Sequence, residues 1–313
     1  MKVVVVGAGV SGLSCAIRLR EAGHDVALWA RDPPPRTTSN VAAAIWYPYR
    51  AGPADKVGRW GRESYDEFVR LSRDPSSGVL LRKGVELFPG EPEPAAWREG
   101  LGGVRPAQAN ELLGRARSGY VLELPVVEMP IYLPFLARRF AGLGGRLERH
   151  AVSSLAEPLA LADAVVNCTG LDARALTGDP ELAPIRGQIV RVERAGIERF
   201  VLDDYDPAGI TYVVPRSRDC VLGGTAEEGR EDLDPDPRAT EAILRRCAAL
   251  EPRLAGARVL GVAVGLRPGR PSVRLEAERV AGKLLVHDYG HGGAGVTLSW
   301  GCANEVRRRI AEA

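Results

Sequence analysis

Two glycine-rich turns stand near opposite ends of the chain, and each has the composition of a cradle for a cofactor. The first is the hexapeptide GAGVSG at residues 7–12, which matches G-x-G-x-x-G. The second lies between residues 290 and 301, where five of the twelve residues are glycine. Because glycine lacks the Cβ that would block close approach, such turns let backbone N–H groups reach a cofactor. The sequence therefore predicts one cofactor site built from both ends of the chain.

A βαβ unit surrounds the first turn and makes the motif more specific. Residues 3–6 are a continuous β-branched run, typical of a strand buried on both faces. Apolar residues then recur at helical spacing up to Gly23, and residues 25–30 form the next predicted strand. In this interpretation Gly7 allows the tight turn, Gly9 admits a pyrophosphate, and Gly12 lets the helix pack on the strand. The alternative is a glycine turn with no ligand.

An acidic residue at the end of the second strand usually binds a ribose, but this sequence has no acidic residue at that position. Ala30 and Arg31 occupy that place, and Asp32 follows twenty residues after Gly12. Asp32 could still bind the ribose, and Arg31 could contact a phosphate or the adenosine. The motif alone therefore leaves an NADP-type site open.

Residues 36–49, RTTSNVAAAIWYPY, combine hydroxyl and amide side chains with a run of small residues. This pattern predicts the capped start of a helix, because hydroxyl and amide groups accept hydrogen bonds from the first backbone N–H groups. The small residues also suit a wall against a flat ring. An ordinary capped helix without a ligand is the alternative.

Arg267 stands directly before Pro268, where a predicted strand over residues 259–266 ends. Proline fixes its own φ and restricts the preceding residue, so the arginine is held stiffly. A guanidinium fixed in this way suits the bidentate recognition of a carboxylate. The alternative is an ordinary surface salt bridge.

Composition argues against several classes of function. A net charge of +2 on 313 residues gives no basic footprint for nucleic acid. No apolar stretch reaches the roughly 18 residues that a membrane helix needs. The five cysteines are odd in number and widely spaced, without CxxC or zinc spacing. We therefore predict no metal site and a reduced, cytoplasmic protein.

The order of the predicted elements indicates an α/β fold in two parts. Dinucleotide-binding pieces lie at both ends, a β-rich section follows residue 185, and residues 62–125 show only short helical and extended pieces. We predict a Rossmann-like cofactor domain with an inserted β-rich substrate domain. The predicted segments are 1–60, 128–184 and 262–313 for the cofactor domain, and 61–127 and 185–261 for the substrate domain.

Nine short motifs follow one another over nearly the whole chain. They are VVVVGAGVSGLS, TTSNVAAAIWYPY, VVNCTG, RGQIV, ITYVVPR, LGGT, LEP, GLRPGRPSVRLE and VHDYGHGGAGVTLSWGCA. Together they resemble the D-amino-acid oxidase family, and the last is close to that family's signature. One residue departs from the pattern, because Asp288 stands where the family more often has Asn. The resemblance implies non-covalent FAD and a fold of the D-amino-acid oxidase and glutathione-reductase-like type.

The resemblance also implies how FAD is held. The pyrophosphate would lie on the first turn, the adenosine near residues 31–32 and 152, and the flavin between residues 38–45 and the second turn. Amides of the second turn would stabilise negative charge on reduced flavin. The implied cofactor-binding residues are Gly7, Gly9, Val10, Ser11, Gly12, Arg31, Asp32, Thr38, Ser39, Ala43, Ala44, Ile45, Val152, Gly292, Gly293, Gly295, Val296 and Thr297.

Three residues match the family's substrate contacts. Arg267 would bind the α-carboxylate, and the hydroxyl of Tyr212 would contact the same group. The carbonyl of Gly293 would accept a hydrogen bond from the substrate amine. The family's second active-site tyrosine has no counterpart here, and Tyr205 and Tyr47 are the candidates for its place.

The shortened segment before Tyr212 is similar to that of D-aspartate oxidases. Those enzymes need an additional basic residue for the side-chain carboxylate, and Arg216 and Arg50 are the candidates in this sequence. His291, within the glycine-rich stretch, is expected to have a structural role.

The activity that the resemblance implies is the oxidative deamination of D-amino acids, predicted here for neutral ones. Hydride passes from Cα to flavin N5, dioxygen takes up the electrons as hydrogen peroxide, and water releases the 2-oxo acid and ammonia. No general base is required, since the protein supplies orientation. The alternatives are a D-aspartate or glycine/sarcosine-type oxidase, a dehydrogenase of the same fold, and a binding module without catalysis. A homo-oligomer stays open.

Overall fold

Two β-sheets organise the chain in the computed structural model, which describes residues 1–48, 51–92, 96–99, 101–114 and 116–313. The strands are β1 (Lys2–Val6), β2 (Asp25–Ala30), β3 (Val79–Phe88), β4 (Arg105–Pro106), β5 (Ser118–Val127), β6 (Arg146–Arg149), β7 (Ala164–Asn167), β8 (Ala183–Glu193), β9 (Phe200–Asp203), β10 (Thr211–Pro215), β11 (Asp219–Gly223), β12 (Glu227–Glu228), β13 (Val259–Gly269), β14 (Arg274–Val280) and β15 (Lys283–Tyr289). The α-helices are α1 (Val10–Glu21), α2 (Ala54–Leu71), α3 (Ala96–Glu99), α4 (Met129–Gly142), α5 (Ala156–Leu161), α6 (Ala173–Thr177), α7 (Pro237–Leu250) and α8 (Gly295–Ala311).

The first sheet has six strands in the order β14-β15-β7-β1-β2-β6. All neighbours pair in parallel except β14, which runs antiparallel to β15 at one edge. The β-branched strand β1 lies inside the sheet, where Val5 pairs with Leu28 on one side and with Val166 on the other. The prediction of a strand buried on both faces is confirmed, because Val3 and Val4 are at most 1% exposed.

Alternate residues of β1 enter two different cores. Val3 and Val5 pack among the apolar side chains of α1, α2, α4 and α8, whereas Val4 and Val6 pack against residues of α5 on the opposite face. Helices therefore cover both faces of the parallel strands, as this sheet type requires. α2 crosses α8 closely, since a Cβ added at Gly301 would lie 2.1 Å from the carbonyl oxygen of Trp60.

The second sheet has nine strands, in the order β12-β8-β11-β10-β9-β3-β5-β4, and β13 also pairs with β8. Among the described residues, β3 and β9 form the one parallel pair of this sheet. One face of this sheet carries α7, whose Ile243 and Cys247 pack on apolar residues of β8, β10 and β11. On the other face, Ile189 and Val214 pack with Ile45 of the chain segment that follows residue 37. This second face therefore lies toward the six-stranded sheet.

The helix predicted after Thr37 is limited to one 3₁₀ turn, Thr38–Val41, with Thr37 and Asn40 forming a capping box. The prediction of a longer helix is wrong because β5 provides other partners for the backbone. The Val127 N–H donates to the carbonyl of Ala44 at 2.8 Å. Residues 42–47 therefore lie along the second sheet instead of continuing as a helix.

Residues 54–71 form one amphipathic helix, α2, of eighteen residues, where the sequence indicated only short pieces after residue 62. The predicted domain boundary after residue 60 falls inside this helix, and the boundary before residue 262 falls inside β13. The domain limits therefore remain a prediction. Every strand of the six-stranded sheet lies within the segments predicted for the cofactor domain. Within the described ranges, no helix has the length and apolar character required to cross a bilayer.

Candidate functional site

A cavity of about 590 Å³ lies between the two sheets. The carboxyl ends of β1, β2, β7 and β15 open into it, because parallel strands end at the same edge of a sheet. The opposite wall consists of residues from β8, β9, β10 and β13. Both glycine-rich turns line this one cavity, so the two ends of the chain contribute to the same space.

The glycines of the first turn have two roles: some are required by the packing of the chain, and some line the cavity. A Cβ at Gly7, where φ is +108°, would lie 2.3 Å from the carbonyl oxygen of Cys168. A Cβ at Gly12 would lie 1.7 Å from the carbonyl oxygen of Gly7. Gly12 does not line the cavity, unlike Gly7, Gly9, Val10 and Ser11. Its observed role is therefore the packing of α1 on β1, and the prediction that it contacts the cofactor directly finds no support in its position.

Gly9 precedes the N-terminus of α1 and carries no capping side chain of its own. Ser39 approaches from the opposite wall, and its Oγ accepts a hydrogen bond from the Val10 N–H at 3.1 Å. A Cβ at Gly9 would meet only this hydroxyl, at 3.2 Å. The helix end is thus open toward the cavity, and a diphosphate fits there because helix N-termini favour negative charge.

The second turn brings another helix N-terminus to the same cavity. Gly292, Gly293, Gly295, Val296 and Thr297 all line it, and α8 begins at Gly295. Gly292 adopts φ of +54°, and its N–H donates to the carbonyl of Pro268 at 2.8 Å. This bond ties the turn to the end of β13. Two helix ends converge on one space, which suits an anionic cofactor with a flat ring.

The segment predicted to face a flat ring lines the cavity with Thr38, Ser39, Ala43, Ala44 and Ile45. Its position is fixed from the other side of the cavity by the first turn of α8. The Tyr47 N–H donates to Oγ1 of Thr297 at 3.1 Å, and that hydroxyl donates to the Tyr47 carbonyl at 2.9 Å. The side chain of Thr297 therefore joins two walls of the site.

Charged residues at the ends of β2 and α6 form the other extremity of the cavity. Arg31 makes ion pairs with Asp32 at 2.8 Å and with Asp172 at 3.0 Å. The hydrogen bond from Arg31 lowers the pKa of the Asp32 carboxyl, which therefore stays an acceptor for ribose hydroxyls. Because Arg31 is engaged with two carboxylates, the geometry favours a ribose over a 2′-phosphate. Val152 also lines this part of the cavity.

Arg267 lies on β13 with its guanidinium turned to the cavity. Nη1 donates to the carbonyl of Thr225 at 3.0 Å. Among the residues that the structure describes, no carboxylate lies within ion-pair distance of Arg267. The alternative of a surface salt bridge is therefore wrong for this residue. A half-buried cation without a carboxylate is suited to bind an anionic ligand.

Glycines in neighbouring strands make room for both predicted substrate-binding side chains. A Cβ at Gly187, on β8, would lie 2.3 Å from Nη1 of Arg267. A Cβ at Gly223, which pairs with Tyr212 across β10 and β11, would lie 1.9 Å from Cζ of that tyrosine. The motifs RGQIV and LGGT contain these glycines, but their role depends on the strand register. A glycine inside a predicted strand was the signal that could have revealed this role, because such a glycine often marks a place where another group packs closely against the strand.

The structure shows which candidates for the second tyrosine and for an additional basic residue line the cavity. Tyr47 lines the cavity and donates to Oε1 of Glu86 at 2.7 Å, whereas Tyr205 is 55% exposed and lies outside the cavity wall. Arg216 is buried and bound to Asp219 at 2.6 Å, so it is not a cavity cation. Arg50 lies outside the described residues.

Sequence reasoning did not single out several residues of the cavity wall near Tyr212 and Arg267. They come from strands and loops of the second sheet whose position depends on tertiary packing. They are Gly187, Ile189, Leu202, Asp204, Ile210 and Gly265.

Comparison with known proteins agrees with this architecture. A family model described as FAD dependent oxidoreductase matches residues 2–309. The chain is 59% identical over 310 residues to a D-amino-acid oxidase of Rubrobacter xylanophilus, with 97% of this chain and 94% of that protein covered. It is 47% identical over 311 residues to a D-amino-acid oxidase of Streptomyces coelicolor, with 98% and 96% covered.

The fold is also similar to solved structures. A glycine oxidase from Geobacillus kaustophilus superposes with a TM-score of 0.84 at 20% identity, covering 99% of this chain and 94% of that chain. This likeness confirms the predicted fold class, a Rossmann-like domain with a second, β-rich part.

Proposed function

Because the chain belongs to the family of FAD-dependent oxidoreductases, we propose that it catalyses the oxidative deamination of D-amino acids with dioxygen as electron acceptor. The products are 2-oxo acids, ammonia and hydrogen peroxide. The two relatives that bear the name D-amino-acid oxidase, at 59% and 47% identity over nearly the whole chain, support the choice of D-amino acids.

The observation that carries the proposal is the guanidinium of Arg267, which faces the cavity without a carboxylate partner among the described residues. Such a group provides the anchor for an α-carboxylate, and Tyr212 lies on the same wall. Gly293, from the second glycine-rich turn, lines the same cavity and would accept a hydrogen bond from the amine through its carbonyl. A binding module without catalysis has no need for such an anchor.

The cavity fits FAD by the features of its walls. The open N-terminus of α1, the N-terminus of α8 and the carboxylate of Asp32 lie in one continuous space. The bound FAD supplies the two-electron redox chemistry that amino-acid side chains lack. The residues of the chain hold the substrate in one orientation, which is the form of catalysis that positioning groups provide.

Neutral side chains are the proposed preference. Leu202 and Ile210 give the wall near Tyr212 an apolar character, which suits an uncharged substrate side chain. Arg216, a candidate for binding a second carboxylate, is already bound to Asp219. We therefore expect D-alanine and D-valine to be better substrates than D-aspartate.

The experiment that tests this function is peroxide release from purified, FAD-supplemented protein. D-alanine, D-valine, D-aspartate, glycine and L-alanine are compared in parallel, with oxygen uptake recorded. Activity on the two neutral D-amino acids and none on L-alanine is expected. Dominant activity on D-aspartate or glycine would move the protein to another branch of the family. Substrate oxidation with an artificial acceptor but without oxygen uptake would indicate a dehydrogenase.

We also propose a reducing compartment, the cytoplasm, as the location of the protein. All five cysteines are buried free thiols, and thiols of this kind persist where disulfides do not form. Fractionation of cells that make the protein, followed by a flavin-dependent peroxide assay on each fraction, tests this assignment.

A further inference from the structure

Five buried side chains of the types that ligate metals meet beside the cavity, although they come from three distant parts of the sequence. They are Cys15, Cys168, Asp288, His291 and Cys302. The sequence predicted no metal site because it shows no ligand spacing, but the packing of α1, β7, β15 and α8 brings these groups together. Each of the two sets, Cys15–Cys168–Asp288 and Asp288–His291–Cys302, has ligand atoms within 4.8 Å of one another.

Asp288 is the centre of this cluster. Its Oδ2 accepts hydrogen bonds from the Sγ of Cys15 at 3.3 Å and of Cys168 at 3.8 Å. Its Oδ1 lies 3.1 Å from Nε2 of His291. The carboxylate is 1% exposed. A carboxylate surrounded by thiols in a dry interior is costly unless a positive charge is near, and a residue such as Asn would avoid that cost.

The structure assigns Cys15, Cys168 and Asp288 as a binding site for one thiophilic divalent metal ion such as Zn²⁺ or Cd²⁺. In a tetrahedral site with bonds of about 2.3 Å to sulfur and about 2.0 Å to oxygen, neighbouring ligand atoms are about 3.5–3.8 Å apart. The observed distances of 3.3 and 3.8 Å between sulfur and carboxylate oxygen are close to this range. Two sulfurs and one oxygen also select soft ions over Mg²⁺ or Ca²⁺.

His291 supports the carboxylate from its other oxygen. A histidine that holds a ligating carboxylate fixes the orientation of that ligand, as is common around protein-bound zinc. This gives His291 the structural role expected from the sequence, with a defined partner. Cys302 lies within the second set of ligand atoms and provides an additional sulfur next to Asp288.

Metal binding here exchanges protons for the ion and involves no redox step. When the ion binds, two S–H bonds are lost as protons to solvent, and two sulfur–metal bonds form.

The cavity is the route by which an ion reaches this site. Cys168, Asp288 and His291 line the cavity wall, whereas Cys15 lies behind them. FAD in the cavity covers that route, so the FAD-loaded protein should take up metal more slowly than the same chain without FAD. This dependence separates the proposed site from surface binding, which FAD would not affect.

The test is a titration of the chelator-treated full chain with Cd²⁺, with and without FAD. Bound metal per chain is measured by mass spectrometry, and thiolate–Cd²⁺ bonds are measured by their ultraviolet charge-transfer absorption. Cys15→Ala and Asp288→Asn remove one ligand each. Cys247→Ala is the matched control, since Cys247 is equally buried but lies on α7, outside the cluster.

One Cd²⁺ per chain with thiolate absorption is expected for the wild type and for Cys247→Ala. Affinity should fall at least about tenfold in Cys15→Ala and in Asp288→Asn, and uptake should slow when FAD is present. Asp288→Asn keeps the shape of the side chain, so it remains informative if Cys15→Ala fails to fold. Absence of thiolate absorption in the wild type, or equal affinity in Asp288→Asn, would overturn the proposal.

Discussion

The guanidinium of Arg267 lies against Gly187, which stands on the neighbouring strand β8 where a Cβ would come within 2.3 Å of Nη1. Gly187 lies two residues along β8 from the residue that pairs with Arg267. The position of the proposed carboxylate anchor therefore depends on Gly187 having no side chain. A similar relation holds between Tyr212 and Gly223. Both substrate-binding side chains lie in space that a glycine leaves open.

Gly187→Ala should preserve the fold but displace the guanidinium, because the far end of a long side chain can move. Since a misplacement of about 1 Å can lower a rate about a hundredfold, kcat/KM for D-alanine should fall by a factor of that order. Steady-state peroxide release measures this. Gly58→Ala is the control, as no atom lies within 4 Å of its added Cβ; it should leave kcat/KM unchanged and stabilise α2 by about 0.5–1 kcal/mol. If kcat/KM for D-alanine were the same in both variants, Gly187 would not be needed to position the guanidinium of Arg267.

Arg267→Ala should raise KM for D-alanine by about 30-fold or more, because loss of one partner of a desolvated charge pair costs about 2–5 kcal/mol. Arg267→Lys keeps the charge but loses the planar fork, so its KM should lie between those of the wild type and the alanine variant. The flavin absorption of both purified variants should match that of the wild type. An unchanged KM would contradict the assignment of Arg267 as the carboxylate anchor.

Tyr212→Phe keeps the ring over Gly223 and removes only the hydroxyl. A hydrogen bond to a charged group contributes about 1.5–3 kcal/mol, so KM for D-alanine should rise about 10- to 150-fold. Inhibition by a carboxylate without an amine, such as benzoate, should weaken by a similar factor. If only kcat changed and the inhibition constant stayed the same, the hydroxyl would not contact the carboxylate.

Gly9 and Gly12 should separate into a cofactor residue and a folding residue. Gly9→Ala adds a Cβ that meets only the hydroxyl of Ser39 at 3.2 Å, so the chain should fold and FAD affinity should fall about tenfold or more, equivalent to about 1.4 kcal/mol. Gly12→Ala places a Cβ 1.7 Å from the backbone of Gly7. It should lower the free energy of unfolding by about 1–3 kcal/mol or more, and therefore lower Tm even without FAD. Thermal unfolding and FAD fluorescence measure both effects. Identical Tm values for the two variants without FAD would contradict this division.

A buried ion-pair cluster far from the cavity predicts how stability depends on pH. Burial alone would raise the pKa of Glu67, but hydrogen bonds and charges of Arg70 and Arg18 lower it from 4.5 to about 2. Ion pairs with Arg70 at 2.6 Å, Arg18 at 3.1 Å and Arg139 at 3.2 Å account for this. Because the folded-state pKa is depressed, the stabilisation is present above pH 4.5 and is lost as pH falls toward 2.

Glu67→Gln should therefore lower Tm at pH 6 and reduce the further loss of Tm between pH 5 and pH 3. Asp66→Asn is the control on the same helix, since its carboxylate pairs with Arg62 at the surface and contributes little. Calorimetry at several pH values measures both variants. A Glu67→Gln variant with the same acid sensitivity as the wild type would show that other groups control acid unfolding.

The parts of the fold that were predicted correctly are those whose signal is local. β1, α1 and β2 follow from the β-branched run at residues 3–6, the glycine turn and the helical spacing after Gly12. α7 also begins at a local signal, because the side chain of Asp236 accepts hydrogen bonds from the backbone N–H groups of Arg238 and Ala239. In the same way, both glycine-rich turns line the cavity as predicted.

The parts that were wrong or missed depend on partners distant in the sequence. The helix expected after Thr37 ends at Val41 because the backbone near Ala44 binds β5, about eighty residues later. The space that Gly187 leaves for Arg267 exists only in the β8–β13 register. Likewise, the meeting of Cys15, Cys168 and Asp288 depends on packing between strands and helices. Such contacts join residues that are distant in the sequence, so the spacing of residues along the chain does not predict them.

The reciprocal hydrogen bonds between Thr297 and Tyr47 also limit the order in which the protein can mature during synthesis. The glycine turn before α1 leaves the ribosome well before β15 and α8, whose residues line the same cavity. Because chains lengthen at about 5–20 residues per second, a nascent chain spends most of its synthesis with half of a cradle. The complete cradle therefore forms only after α8 has been made, and both helix N-termini can face a cofactor only from that point.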